Sequence, residues 1–253
     1  MSNHFCIDSM KSDARTSLGN QTSSPWERLG EEKQAEEALV SYIDRHITPE
    51  DDYLHRLWRA TNIHTIHGRM ASGHLQGELL KMLVMIARPR YILEVGTFSG
   101  YSAICLARGL KAISGDGTSR KLFTFEINDE MEDFTRPWID DSDVAQYIDF
   151  RIGDAMTEAP KLGVKFDMAF IDGDKRTYPE TYDTLLPLMN DGGLLLADNT
   201  LWDGHVVEHA YDHDAQTLGI RRFNDKVAAD PRVDVVILPE RDGLTMIRIN
   251  KKQ

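Results

Sequence analysis

The sequence predicts an α/β protein: a mostly parallel sheet with helices on both faces, one antiparallel strand at its C-terminal edge, and a helical extension in front. Two patterns carry this expectation. Five short apolar runs, over residues 91–95, 123–126, 148–151, 168–171 and 194–197, are each bounded by Gly, Asp or Pro and separated by helix-length segments. That is the texture of parallel strands joined by crossover helices. Two further runs, 233–238 and 244–249, are parted only by Pro239-Glu240-Arg241-Asp242-Gly243, which is hairpin chemistry and reverses the chain.

Residues 1–30 are rich in Ser, Asn, Asp and Thr and have little periodic hydrophobicity, so a flexible polar arm is expected there. A single domain follows over 31–253, made of N-terminal helices (31–69) and a core (70–253). Thr48-Pro49-Glu50-Asp51 reads as a helix start, with Thr as N-cap, Pro at the first position and acids in the first turn. Leu54, Leu57, Trp58 and Thr61 then share one face. A second helix is expected over 74–87, with Leu75, Leu79, Leu83 and Ile86 at helical spacing and Pro89 closing it.

At 253 residues, 41% of them hydrophobic and 28% charged, the chain is long enough and apolar enough for one sizeable core. A formal charge of -12 argues against nucleic acid or an acidic membrane surface as partner, because both are bound through excess Lys and Arg. A small-molecule substrate fits better. Cys6 and Cys105 are far apart and lack metal-ligand spacing, so a disulfide framework is not expected and a reducing cytoplasm is. No run approaches the ~18 apolar residues of a bilayer span.

The first strand leads into Glu94-Val95-Gly96-Thr97-Phe98-Ser99-Gly100-Tyr101-Ser102. Glycines here let the backbone approach a ligand at the carboxyl end of the sheet. The spacing G-x-x-x-G differs from the dinucleotide G-x-G-x-x-G, and with an acid at Glu94 it suits a sulfonium amino acid better than a pyrophosphate. Glu126 ends the second strand, where an acid can accept from both ribose hydroxyls. Gly153-Asp154-Ala155 follows the third and could contact an adenine. Together the three strand ends point to a nucleoside cofactor.

Asp172 ends the fourth strand, within Phe170-Ile171-Asp172-Gly173-Asp174-Lys175, and Asp198 and Asn199 end the fifth. Neighbouring parallel strands should bring them together. Two carboxylates and an amide carbonyl, without thiolate or imidazole, select a hard divalent ion: Mg²⁺ first, with Mn²⁺ or Ca²⁺ as alternatives. His205, His209 and His213 recur at intervals of four, but Gly204, Asp212 and Asp214 among them argue for a solvated loop rather than a zinc helix.

Through LEVGTFSGYSA, FTFEI, FIDGDK and ADNTLWDG the sequence resembles the cation-dependent caffeoyl-CoA and catechol O-methyltransferase family, from about Met70 to Ile249. The resemblance implies a Rossmann-like seven-stranded sheet with a reversed last strand, S-adenosylmethionine (SAM) as methyl donor, and a homodimer. It implies Asp172, Asp198 and Asn199 as metal ligands. Met70, Ser72, Glu94, Gly96, Ser102, Glu126, Ala155 and Asp174 correspond to SAM contacts, with Thr97 and Asp172 beside them. Lys175 stands where the catechol enzymes of the wider family keep a catalytic lysine. Asp203 stands where many plant-type members carry Asn, beside the substrate, and Asp172, Lys175, Asn199 and Trp202 complete the expected acceptor site.

The reaction expected on these grounds is methyl transfer to a vicinal diol. A phenol of pKa near 10 needs a metal to hold it as the oxyanion, and Lys175 could take the proton if its own pKa were depressed. Lys175 could instead form a salt bridge to Asp174 or Asp203. Trp202 and Tyr178 could flank an aromatic acceptor or simply pack, and His64, His67 and His74 could line its pocket or cap and coat the surface. Three rivals are an NAD-dependent oxidoreductase, which lacks its glycine spacing here, a methyltransferase acting on RNA or protein, and a non-catalytic SAM-binding protein, for which the three converging oxygen donors would be idle.

Overall fold

The computed structural model describes residues 34 and 37–250, so the polar arm expected over 1–30 lies outside the described residues. The chain divides into two compact units, Met1–Ile47 and Thr48–Gln253. In the first, residues 37–44 are helical and Tyr42 stacks on His46 with ring centroids 3.9 Å apart. The second holds the sheet. Of the helices expected over 31–69, the one after Thr48 belongs to this unit.

Seven strands run in the order β3-β2-β1-β4-β5-β7-β6: β1 (Tyr91–Val95), β2 (Lys121–Glu126), β3 (Ile148–Ile152), β4 (Phe166–Ile171), β5 (Met189–Ala197), β6 (Val233–Leu238) and β7 (Leu244–Ile249). β1 to β5 pair in parallel, and β7 is antiparallel to both its neighbours. The reversed strand therefore sits between β5 and β6, and β6 forms the edge. The helices are α1 (Asp52–His64), α2 (His74–Ala87), α3 (Tyr101–Ala112), α4 (Glu132–Asp140), α5 (Ala155–Glu158), α6 (Tyr178–Leu185) and α7 (Ala215–Ala228).

Two apolar clusters sandwich the sheet. One gathers Leu57, Leu80, Val84, Ile92, Ile104 and Leu110, the other Leu93, Tyr178, Tyr182, Ile220 and Phe223. Each fully buried aliphatic side chain contributes about 1.5–3 kcal/mol. Among the described residues no helix is long and apolar enough to cross a membrane.

Two helix expectations need correction. α1 starts after Asp51, not at Thr48, because the Asp51 carboxylate accepts from the backbone N–H of Tyr53 (2.8 Å) and Leu54 (2.9 Å). Glu50 is drawn off to Tyr101 Oη (2.5 Å) and His55 (3.1 Å). α1 buries Leu54, Leu57 and Thr61, while Trp58 stays exposed. α2 keeps its expected bounds but is rotated toward Gln76, Gly77, Leu80 and Val84, which are buried; Leu79 and Leu83 of the expected face pack partly buried against the core, and Ile86 is exposed. The cause is Gly77, where an added Cβ would lie 2.8 Å from Cys105 Sγ and 2.9 Å from the Tyr101 ring, so α2 settles onto α3 along its glycine side.

Candidate functional site

β1 lies between β2 and β4, so the sheet order reverses at its carboxyl end, the position at which open α/β sheets bind their ligands. Gly96 sits at this point with φ +97, and a Cβ on it would meet the Asp172 carbonyl oxygen at 2.3 Å. Only a glycine can take that backbone and let the β1 and β4 ends touch.

Three acids project at these ends. Glu94 is fully buried and accepts from Thr124 Oγ1 at 2.5 Å through Oε2, while Oε1 has no partner. Thr97 Oγ1 lies 2.6 Å from Thr124 Oγ1 and, since Thr124 already donates to Glu94, donates to it. Burial pushes the Glu94 carboxyl up to about 8, against the pull of hydrogen bonds from Ser102 and Thr124. Glu126 accepts from Phe98 N–H (2.7 Å) and Asn128 N–H (2.9 Å), so the β1 turn is tied to the β2 end. Asp154 caps α5 through Met156 N–H (2.9 Å), which leaves buried Ala155 at the head of that helix.

Beside them Asp172 and Asp198 end β4 and β5, with Asp198 N–H donating to Ile171 O at 3.0 Å. Burial, and then the negative charge of Asp172, raise the Asp198 carboxyl to about 6. Its Oδ2 accepts from Gln76 Nε2 (2.6 Å) and its Oδ1 from Asn199 N–H (2.8 Å). Asn199 has φ +58 and donates from Nδ2 to Asp242 Oδ2 at 3.3 Å, which leaves its carbonyl oxygen as the acceptor end. Lys175 is buried with Nζ 2.6 Å from Asp172 Oδ1. Burial works to lower its pKa, but the Asp172 carboxylate outweighs it and the ammonium is held above the ordinary lysine value.

Asp174 is exposed and paired with Arg176 (2.5 Å), whose guanidinium holds the carboxyl below its ordinary range. Lys175 therefore bridges to Asp172 rather than to Asp174 or Asp203. Asp203 lies beside Asp242, whose carboxyl is raised by burial and by that neighbouring acid. Trp202 and Asp203, at φ +49 and +52, sit in a run of short turns over 202–214, and Trp202 is half-buried. Tyr178 is not free to flank a ligand: it is fully buried, and its hydroxyl donates to the backbone oxygens of Ile171 (3.2 Å) and Asp198 (3.0 Å). His205 stacks on Tyr211 (3.5 Å) and His209 pairs with Asp212 (3.3 Å), in short turns rather than the one helix that would align the histidines. His74 donates from Nε2–H to Thr48 O (2.6 Å), beside the start of α1. Ser72 is buried and Met70 is exposed, on the segment between α1 and α2.

A profile of the O-methyltransferase family matches residues 44–250. Tricin synthase 2 of Oryza sativa subsp. japonica is 37% identical over 211 residues, 79% of this chain and 70% of that protein. Caffeoyl-CoA O-methyltransferase of Mesembryanthemum crystallinum is 35% identical over 194 residues, 71% of this chain and 72% of that one. Among solved structures, the O-methyltransferase from Bacillus cereus in complex with SAH has a TM-score of 0.75 at 29% identity, covering 84% of this chain and 97% of its own. TomG from Streptomyces achromogenes, in complex with SAM, has a TM-score of 0.75 at 28% identity and covers 85% and 96%.

The chain belongs to the O-methyltransferase family. At the β1 end beside Gly96, the orphaned Glu94 Oε1 is a buried polar atom with room for a hydrogen-bonding partner. The Asp172, Asp198 and Asn199 set also fits a hard cation, since it offers oxygen donors only and its two carboxylates repel each other. Sequence reasoning missed Thr124, Gln76, Arg241 and Asp242. Their roles are not legible locally, because each acts through contacts with residues distant in the chain.

Proposed function

We propose that this O-methyltransferase moves the SAM methyl group to one hydroxyl of a small aromatic bearing two adjacent hydroxyls, with a divalent cation held by Asp172, Asp198 and Asn199. The carrying observation is the meeting of two acids at neighbouring strand ends, one pushed up to about 6 by burial and by the other. A caffeoyl group carries such a diol, and the name of one relative supports that acceptor class. When bound, the cation, Mg²⁺ by preference, would supply a Lewis acid that favours the oxyanion of a coordinated hydroxyl.

The remaining work falls to the chain. Glu94 receives the polar methionine end of SAM at its unpartnered oxygen, and Glu126 takes the ribose hydroxyls. Met70, Ser72, Gly96, Thr97, Ser102, Ala155, Asp172 and Asp174 complete the cofactor's surroundings. Transfer is an in-line displacement, so the acceptor oxygen must lie about 3 Å from the methyl carbon and opposite the sulfur. Trp202 and Asp203 border the acceptor. Lys175 is the candidate base, but its ammonium is paired with Asp172, so it must first give up a proton to solvent, which that pair opposes, before the neutral amine can accept one. Lys175→Arg, which keeps the charge and cannot deprotonate, separates a base from a charge role. The resemblance adds a homodimer, which a sedimentation mass of twice the single chain would support, while the two distant cysteines favour a reducing cytoplasm.

The deciding experiment measures methyl transfer from labelled SAM to caffeoyl-CoA, caffeate and 3,4-dihydroxybenzoate, with Mg²⁺ or EDTA, for wild type and Asp172→Asn. Turnover that falls at least about a hundredfold with EDTA and in the variant is expected, the loss of several kcal/mol of charge stabilisation. Turnover indifferent to both would sink the metal reading, and SAM binding without turnover on any diol would move the acceptor to another class.

A further inference from the structure

Gln76 lies in the first turn of α2, fully buried. Its Nε2 donates to Asp198 Oδ2 at 2.6 Å and its Oε1 accepts from Arg241 Nη1 at 2.9 Å. The partners dictate which end of the amide is which, because a carboxylate only accepts and a guanidinium only donates. One amide thus joins α2, the end of β5 and the β6–β7 turn. Asp198 is held at both oxygens, the second by Asn199 N–H. The same turn also reaches Asn199: Asp242 Oδ2 accepts from its side chain, and Asp242 O accepts the N–H groups of Leu201 (2.7 Å) and Trp202 (3.1 Å). Arg241 takes part at φ +48, a left-handed conformation that disfavours a non-glycine residue. The turn keeps an arginine where a glycine would rest more easily.

We propose that Gln76 and Arg241 are positioning residues for the divalent cation. Resting on the metal reading above, the inference is that the Arg241–Gln76–Asp198 chain presets one orientation of Asp198, while the turn that carries Arg241 holds Asn199 beside it. A cation then meets a formed donor set rather than ordering one. Partners of metal ligands commonly change affinity by about 10–100-fold when removed.

The test titrates the full-length protein with Mn²⁺, following the free ion by electron paramagnetic resonance, and measures SAH binding without metal by calorimetry. Gln76→Met keeps the side-chain volume, and Arg241→Gly suits the left-handed turn, so neither should unfold the chain. Each variant is expected to lose about tenfold in Mn²⁺ affinity, with SAH affinity within twofold of wild type. The double variant should lose little more than either single one, since both act through one amide. Wild-type Mn²⁺ affinity in both variants would overturn the proposal, as would SAH affinity falling in step with Mn²⁺ affinity, which marks general disruption. A wild-type protein that binds no Mn²⁺ would overturn the metal reading itself and this proposal with it.

Discussion

Glu94, Glu126 and Asp198 are all acids at strand ends, and their surroundings treat them differently. Glu126 meets two backbone N–H groups, which stabilise a carboxylate directly. Glu94 meets hydroxyls on one side and nothing on the other, inside a buried pocket, so its proton stays on up to about pH 8. This has a consequence for stability in the cofactor-free protein. Unfolded, the side chain loses its proton near 4.5; folded, it holds it to about 8, so over that window the native state binds more protons. Stability from this group is full below about pH 4.5 and is lost as pH rises toward 8, by at most about 1.4 kcal/mol per pH unit. Glu94→Gln has no proton to lose. Denaturant unfolding at pH 5 to 8 should give wild type a steeper decline than Glu94→Gln, by a few kcal/mol across the range. Parallel slopes would mean that Glu94 ionises freely when buried.

At the scale of elements, the run of turns over 202–214 is fastened by one side chain of α7. Arg221 donates to the backbone oxygens of Val206 (2.9 Å), His205 (2.9 Å) and Glu208 (2.8 Å) and to Asp212 (2.6 Å). A planar fork with five donors can serve four acceptors where an ammonium cannot. Arg221→Ala and Arg221→Lys should therefore loosen the segment that carries Trp202 and Asp203. Steady-state kinetics are expected to show about a tenfold fall in kcat/KM for the acceptor with KM for SAM within twofold. An equal fall for both substrates would indicate a wider loss of structure. No feature of the sequence singles out Arg221, since its partners lie 9 to 16 residues away in a segment without periodicity. The strands were legible because each apolar run is closed by Gly, Asp or Pro, and the hairpin because five turn residues separate its arms. The inward face of α2 was not, because leucine spacing says which residues are apolar and not that Gly77 lets the neighbouring helix come closer than any leucine would allow. The strand-end acids Glu94, Glu126, Asp172 and Asp198 were legible by the same logic as the strands. The choice of Asp172 as the partner of Lys175 was not, since Asp172, Asp174 and Asp203 are equivalent to a sequence and only the chain's path selects among them.

For the whole molecule, the formal charge of -12 is a field that every ligand must enter. SAM carries a sulfonium, an ammonium and a carboxylate, a net cation, and is drawn in. A coenzyme A thioester carries several phosphate charges and is repelled, whereas a free neutral diol feels little of either. Raising ionic strength shortens the Debye length from about 30 Å at 0.01 M to about 8 Å at 0.15 M, which removes most of this long-range term. At fixed pH and Mg²⁺ the KM for SAM should rise with added salt, the KM for caffeoyl-CoA should fall severalfold, and the KM for 3,4-dihydroxybenzyl alcohol should hold still. The three slopes separate acceptor classes independently of their absolute rates. A KM for caffeoyl-CoA that rises with salt would mean that the thioester is met by a local cluster of Lys and Arg strong enough to reverse the field of the whole chain, and the acceptor site would then be built for the anion rather than for the free diol.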